Sequence, residues 1–205
     1  MNYQKELEKI IQENIANGKC PGLLLHACCA PCSSYCLEYL NRYFNITVFY
    51  YNPNIDDPAE YEKRVREEER LIRELPAEHP IRFLEGEYLP EEYHEKVRGH
   101  EKDAEGGDRC MICYEMRLRK TAETAKQNGF DYFTTTLSVS PLKNSEKINN
   151  IGMRIGKETG IYWLPTDFKK KNGYGRSVEL SRQYGLYRQN YCGCSYSARK
   201  EDSGQ

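Results

Sequence analysis

The chain has 205 residues, 39% of them hydrophobic and 30% charged, and a formal net charge of −1. This length is typical of one domain, and the apolar content supports a hydrophobic core, which excludes extensive disorder. Nine cysteines are too few for a small disulfide scaffold, and residues 1–19 are too polar for a signal peptide. No apolar run approaches the roughly 20 residues of a membrane span. We therefore expect a cytoplasmic protein without membrane association, in which the cysteines are reduced or bound to a metal.

Taken in chain order, the hydrophobic pattern predicts helices that alternate with strands. An amphipathic N-terminal helix occupies residues 1–19, and an α/β domain follows over residues 20–200, with a frayed end at residues 201–205. The predicted strands cover residues 23–25, 46–51, 81–84, 132–137 and 161–164. The later predicted helices cover residues 33–43, 58–75, 90–98, 110–128, 145–159 and 177–184. This alternation predicts a mostly parallel sheet of about five strands with helices on both faces, and ligands bind beyond the carboxyl ends of such strands.

Two other segments have a distinct character. Residues 100–109 form a polar, glycine-containing loop, which we interpret as a mobile segment or a lid. Residues 164–200 carry 8 basic and 2 acidic side chains together with Phe168 and several tyrosines, whereas residues 56–115 carry 19 acidic and 10 basic side chains. Cations beside exposed rings suit RNA, because cations neutralise phosphates and rings stack on unpaired bases. The alternative is an ordinary solvated basic surface, since a pI of 6.5 is not typical of a dedicated RNA-binding protein.

Most of the cysteines fall into three groups along the chain. The groups are Cys28-Cys29-Ala30-Pro31-Cys32, Cys110-Met111-Ile112-Cys113 and Cys192-Gly193-Cys194. Thiolates are soft ligands for iron–sulfur clusters and zinc, and two cysteine pairs from distant parts of the chain make a four-thiolate site for either. Cys110 and Cys113 lie at a predicted helix start, where the helix N-terminus lowers the pKa of thiols. Cys20 and Cys36 stand apart and are more typical of small buried apolar residues.

The third group, Cys192-Gly193-Cys194, has two interpretations. A disulfide across a single residue is strained and easily reduced, which is typical of a redox-active pair. Alternatively, one or both sulfurs bind a second metal. The turn after the first predicted strand contains thiols and no glycine-rich phosphate loop, which argues against NAD, FAD and ATP as ligands. The chain also has no HExxH pattern, which argues against a histidine-bound zinc hydrolase.

The segments that contain these cysteines resemble the cobalamin-independent, QueH-type family of epoxyqueuosine reductases. The resemblance spans residues 20–198 and is most specific at the paired cysteines near the start and at the YRQNYCGC sequence near the end. The matching segments are HACCAPC at 26–32, FYYNPNI at 49–55, Tyr61 with Arg64, CMICYEMR at 110–117, FTTTLSVSPLKN at 133–144, DFKKK at 167–171 and LYRQNYCGCSYS at 186–197.

This resemblance implies a single HUP-like α/β domain related to PP-loop enzymes, with a metal site in place of the phosphate loop. The implied reaction reduces the epoxide of epoxyqueuosine, at the wobble base of tRNA, to queuosine in the last step of queuosine biosynthesis. The implied partners are the anticodon stem-loop of tRNA and a low-potential electron donor such as ferredoxin or flavodoxin. The implied site has a [4Fe–4S] cluster on Cys28, Cys29, Cys110 and Cys113, a redox-active pair formed by Cys192 and Cys194, and Cys32 at a second, mononuclear iron or zinc ion.

Proton donors and alternative functions stay open at this point. His26, Tyr191 and Asp167 are candidate proton donors by position, and a purely supporting role is the alternative for each. A thiol–disulfide oxidoreductase would use the pairs Cys110/Cys113 or Cys192/Cys194 without a metal, whereas a zinc-stabilised RNA-binding domain would use cysteines without redox chemistry. A tRNA sulfurtransferase is disfavoured by the missing phosphate loop.

Overall fold

The computed structural model describes residues 1–197, so the frayed end expected at residues 201–205 lies outside the described part of the chain. Five strands form one sheet in the order β3-β2-β1-β4-β5, and every neighbouring pair is parallel. The strands are β1 (Gly22–His26), β2 (Asn45–Tyr50), β3 (Arg82–Glu85), β4 (Tyr132–Thr135) and β5 (Tyr162–Trp163). The predicted α/β class with a parallel sheet is therefore confirmed.

Helices flank this sheet on both sides. They are α1 (Tyr3–Ala16), α2 (Ala30–Leu40), α3 (Pro58–Glu74), α4 (Pro90–Lys96), α5 (Asp108–Gln127), α6 (Ser145–Thr159) and α7 (Gly173–Gln183). Helix α7 begins at Gly173 rather than at the predicted Ser177. The prediction missed the first turn because two of its residues are glycines, which have a low helix propensity. Within residues 1–197, no helix combines the length and the hydropathy that a bilayer span requires.

The hydrophobic core is divided between the two faces of the sheet, as strand β1, which is buried from Leu23 to His26, shows. Leu23 and Leu25 pack with α1, α2 and α3 residues on one face, where Leu7 of α1 also contributes. Leu24 points to the opposite face and packs with residues of α5 and α6, including Leu118 and Ile155. Successive side chains of a strand point to opposite faces, so the apolar run in β1 is explained by burial on both sides.

The strand order reverses between β1 and β4, and the carboxyl ends of these two strands lie side by side. In doubly wound sheets this reversal opens a crevice in which ligands bind. Strand β1 leads directly into Cys28. Strand β4 is shorter than predicted, because the chain leaves the sheet in a 3-10 turn, Thr136–Val139, which Thr135 caps by accepting a hydrogen bond from the Leu137 N–H at 3.2 Å.

Candidate functional site

Three cysteines form a compact thiol cluster at the carboxyl end of β1. The sulfur atoms of Cys28, Cys29 and Cys32 all lie within 4.8 Å of one another, and Cys28 Sγ is 3.8 Å from Cys29 Sγ. Cys29 occupies the N-cap position of α2, and Pro31 in the first turn starts the helix, which brings Cys32 back beside Cys29. The spacing therefore places three soft ligands within reach of one metal ion.

The proton distribution in this thiol cluster is unequal. Hydrogen bonds from the thiols of Cys29 and Cys32 lower the pKa of Cys28 well below its usual value, and the charge of Lys143 acts in the same direction. The reciprocal effect raises the pKa of Cys29 to about 12 and also raises the pKa of Cys32. The arrangement therefore favours negative charge on Cys28, with Cys29 and Cys32 as hydrogen-bond donors to it, and a soft cation would displace the protons of the cluster.

The thiol cluster lines a cavity of about 300 Å³ at the carboxyl edge of the sheet. Cys192 from the C-terminal segment lines the same cavity, together with Arg64 of α3, Lys143 and Tyr174 of α7. This volume suits a small ligand or a single substituted base. The structure thus brings together residues from four distant parts of the chain around the cysteines.

Cys110 and Cys113 lie in the first turns of α5, outside the three-cysteine cluster, and neither lines the cavity. Cys110 Sγ accepts a hydrogen bond from the Gly106 N–H at 3.2 Å, and buried Cys113 packs with Tyr93, Val97 and Cys194. Burial raises the pKa of Cys110 and raises that of Cys113 to about 12. The expected lowering of these pKa values by the helix N-terminus is therefore wrong, because desolvation of the thiolate outweighs the helix dipole.

The Cys192-Gly193-Cys194 turn divides its sulfurs between two environments. Cys192 lines the cavity, whereas buried Cys194 packs with Cys113, and no disulfide joins any of the nine cysteines, all of which lie within residues 1–197. Gly193 has φ +115°, and an added Cβ would lie 2.7 Å from Ile55 Cγ1 and 3.1 Å from Arg64 Nη1. Only glycine fits this turn, for both conformational and steric reasons.

Two charged residues hold that turn in place. Arg64 is 2% exposed, and its Nη1 donates to the carbonyl oxygen of Cys192 at 3.2 Å while its Nε donates to Glu60 at 2.7 Å. On the other side, the Asp56 N–H donates to the Gly193 carbonyl at 3.3 Å, and the Ser195 N–H donates to the Asp56 carboxylate. The turn therefore sits on a fixed frame supplied by α3 and the residues that precede it.

Two cations face the cysteines without acidic partners. Arg117 is 1% exposed and donates to Cys113 O at 3.4 Å and to Asn52 Oδ1 at 3.2 Å, while its Nη2 has no partner. Burial lowers the pKa of Arg117 and of half-buried Lys143, but negative charge on the nearby cysteine sulfurs, Cys113 for Arg117 and Cys28 for both, outweighs burial and raises the pKa of both cations. Within residues 1–197 no carboxylate pairs with either cation, so the compensating negative charge has to come from thiolates and from what they bind.

The three residues predicted as proton donors occupy different positions. Tyr191 lines the cavity. Asp167 pairs with Lys169 at 3.0 Å and does not line it. His26 is fully buried, and burial lowers its pKa to about 3; Nε2 donates to the Tyr51 carbonyl at 3.1 Å, and Nδ1 accepts from Thr135 Oγ1 at 2.9 Å. His26 is therefore neutral, and the supporting role applies to it.

The loop at residues 100–109 is organised around Arg109, which is 1% exposed. Its Nη1 donates to the carbonyl oxygens of His100, Glu101 and Asp103 at 3.2, 2.9 and 2.6 Å. The loop also places Glu105 in the cavity wall. Its base is therefore anchored, and a lid role for its tip stays a prediction.

Sequence reasoning missed Arg64, Lys143 and Arg117 as site residues, although all three lie in segments that carry the family resemblance. Arg64 shares the buried face of α3 with Tyr61 and Val65. The signal that could have identified it is a charged residue at a position where the helical periodicity predicts an apolar one. Lys143 follows the end of β4, where the fold expects ligands.

The fold and the site together define a doubly wound α/β protein with a cysteine-rich, cation-balanced cavity at the switch point of its sheet. The chain belongs to the epoxyqueuosine reductase QueH family, whose sequence profile matches residues 23–200. It is 44% identical to the epoxyqueuosine reductase QueH of Streptococcus pyogenes serotype M1, covering 98% of this chain and 80% of that protein. It is 40% identical to the QueH protein of Staphylococcus epidermidis (98% and 86% covered) and 36% identical to that of Thermotoga maritima (85% and 89% covered). The family predicted from the cysteine motifs is confirmed.

Proposed function

We propose that this chain reduces the epoxide of epoxyqueuosine in tRNA to the cyclopentene of queuosine, the last step of queuosine biosynthesis. The observation that carries this proposal is the thiol-lined cavity, in which Cys28, Cys29, Cys32 and Cys192 face cations that have no acidic partner within the described chain. Family membership supports the same reaction. Such a cavity suits electron delivery to a small group that protrudes from one base, and it differs from the open surface of a simple RNA-binding domain.

The reaction requires an external reductant. Both carbon–oxygen bonds of the epoxide break, a carbon–carbon double bond forms, and the oxygen leaves as water. The balance is two electrons and two protons for each epoxide. The electrons come from a low-potential donor of the ferredoxin or flavodoxin class. Among the several protonated side chains that line the cavity, Tyr191 and Lys143 are our candidate proton donors, whereas His26 is held neutral outside it.

The donor set fits a thiolate-bound metal group. Cys28, Cys29, Cys110 and Cys113 would hold a [4Fe–4S] cluster, and Cys32 would contribute to a second, mononuclear iron or zinc ion. When bound, these groups supply single electrons and an electrophile for the epoxide oxygen. Arg117 and Lys143 neutralise thiolate charge around the cavity, which favours the deprotonated sulfurs that metals require.

Cys192 and Cys194 would serve as a two-electron store, a dithiol that is oxidised to a disulfide during turnover. Cys192 lines the cavity and Cys194 packs beside Cys113, so the pair lies between the substrate space and the second cysteine group. Arg64 and Asp56 fix the turn that carries them. Oxidation requires the two sulfurs to turn toward each other, while these backbone contacts keep the turn in place.

The test uses anaerobic protein loaded with iron and sulfide, a low-potential reductant and tRNA that carries epoxyqueuosine. Mass spectrometry of the digested nucleosides should show queuosine in place of epoxyqueuosine. Absence of conversion by fully loaded protein would contradict the proposal. Metal analysis separates the alternatives: colourless, metal-free protein would favour a thiol–disulfide oxidoreductase, and zinc alone with tRNA binding would favour an RNA-binding domain.

A further inference from the structure

Two large apolar side chains are exposed at the mouth of the cavity. Within residues 1–197, the large apolar residues with high exposure are few, and two of them, Leu142 (66%) and Tyr174 (42%), also line the cavity. Isolated apolar side chains on a surface need no explanation, but two that share the rim of a functional cavity indicate contact with a ligand.

Tyr174 is presented by a strained and rigid segment. Lys171 and Asn172, just before it, both adopt left-handed conformations (φ 54° and 60°), which cost energy in residues other than glycine. Gly173 leaves no room for a side chain, since an added Cβ would lie 1.9 Å from Phe168 O. Later in the first turns of α7, Arg176 pairs with Glu38 of α2 at 2.7 Å, and this ion pair holds α7 against α2. The backbone thus holds the tyrosine ring at the rim.

Leu142 lies on a loop that is also tied down from below. Lys169 Nζ donates to the carbonyl oxygens of Ser138 at 3.0 Å and Lys143 at 3.3 Å. Within the loop, the Leu142 N–H donates to Ser140 Oγ at 3.3 Å. The side chain of Leu142 is therefore exposed on an anchored backbone, as are the apolar side chains that other proteins insert between stacked bases.

The charges and the cavity size identify the occupant. Exposed Arg188 lines the cavity beside the thiols, and the segment 164–200 carries 8 basic against 2 acidic side chains. A cavity of about 300 Å³ admits one modified base and excludes the nucleotides on either side of it. Those neighbours have to remain outside, at the rim. Unpaired bases stack on aromatic rings while cations contact their phosphates.

We infer that Leu142 and Tyr174, which we call the two lips of the cavity, hold the unpaired nucleotides on either side of the base that enters the cavity. Tyr174 stacks on one neighbouring base, and Leu142 fills the gap left by the extruded base. This inference rests on the proposed function and specifies how its RNA is held. Lips of this kind give the protein a preference for the base within a single-stranded loop over the same base as a free nucleoside.

A binding experiment tests the lips without any turnover. Fluorescence anisotropy at one fixed salt concentration measures binding of a labelled anticodon stem-loop RNA to the full-length, metal-loaded protein. Tyr174→Ala should weaken binding about 5- to 100-fold, the range expected for loss of one stacked base. Tyr174→Phe should stay within about twofold of wild type, because the ring face is retained. Tyr162→Ala is the matched control, since Tyr162 is 75% exposed on β5 and does not line the cavity.

Activity measurements then separate the lips from the inner site. Tyr174→Ala and Leu142→Ala should lower kcat/KM for epoxyqueuosine-containing tRNA, through a higher KM, by a larger factor than they lower kcat/KM for the free epoxyqueuosine nucleoside. Equal losses of activity with tRNA and with the nucleoside would overturn the inference. RNA binding by Tyr174→Ala that equals RNA binding by Tyr162→Ala would also overturn it, even if Tyr174→Ala changed binding of the electron-donor protein. If wild-type protein binds the RNA but never forms queuosine, the proposed function fails while the binding series still decides the role of the lips.

Discussion

Replacement of Arg117 by methionine should weaken metal binding without unfolding the protein. The guanidinium is 1% exposed, contacts Cys113 O and lies close enough to Cys113 and Cys28 for negative charge on these sulfurs to raise its pKa. A unit charge at about 6 Å from a thiolate contributes about 3 kcal/mol at an effective dielectric constant of about 20. Its loss corresponds to roughly a hundredfold weaker binding of an anionic thiolate–metal group. Methionine keeps most of the side-chain volume, so no large cavity forms.

The metal-free protein should respond differently to the same change. Arg117→Met removes two hydrogen bonds to Asn52 and Cys113, but it also removes a buried charge with an unpartnered Nη2. These effects oppose each other, and we expect the free energy of unfolding of metal-free protein to change by no more than about 1 kcal/mol.

The assay is an anaerobic chelator competition that reports iron retained per chain, combined with urea denaturation of the metal-free protein. Arg119→Met is the control, because Arg119 lies on the same helix and pairs at the surface with Glu115 and Glu158. The control should retain iron as wild type does. Unchanged iron retention in Arg117→Met, together with a large loss of metal-free stability, would show that Arg117 serves the fold alone and would refute the charge argument.

Three further predictions concern the frame of the site. Gly193→Ala should lower turnover far more than it lowers the melting temperature, because the added methyl clashes with Ile55 at the edge of the core and displaces the cysteine turn, while the sheet and its helices stay in place; normal turnover would contradict the tight fit. The stability contribution of neutral His26 is complete above pH 6.5 and is lost as the pH falls toward about 3, whereas buried Glu68, with its pKa raised to about 8, adds stability as the pH falls. Urea denaturation at pH 7 and pH 5 should therefore show wild type losing about 2 kcal/mol relative to His26→Gln, in which Glu68 is unchanged. Arg109→Met should speed proteolysis and hydrogen exchange in the loop at residues 100–109, since three carbonyl contacts are lost; unchanged protection would show that the loop is held elsewhere.

The local and periodic features of this protein could be read from its sequence. The apolar run of β1 predicted a strand buried on both faces, and the Asp57-Pro58 pair predicted the start of α3, whose cap is present. The alternation of strands and helices predicted the parallel sheet and placed the first cysteines at its carboxyl edge. These predictions succeed because each depends on residues close together in the chain.

The features that failed or were missed depend on tertiary burial. The helix dipole at Cys110 is a local effect and was predicted, but its outcome is set by desolvation, which only the folded chain determines. Arg117 becomes a site residue only because α5 packs beside β1 and leaves its guanidinium without a carboxylate partner among residues 1–197. The roles of Cys28, Cys29, Cys32, Cys110, Cys113, Cys192 and Cys194 in binding metal and in redox chemistry stay predictions that experiments on the loaded protein can decide.

The measurement that tests the central claim most directly compares two cysteine variants in the tRNA conversion assay. Cys28→Ser removes a sulfur of the thiol cluster that lines the cavity, whereas Cys20→Ser changes a half-buried cysteine outside it. Mass spectrometry of tRNA nucleosides should show full conversion of epoxyqueuosine to queuosine by wild type and Cys20→Ser, and none by Cys28→Ser. Conversion by Cys28→Ser at the wild-type rate would contradict the assignment of epoxide reduction to this cavity.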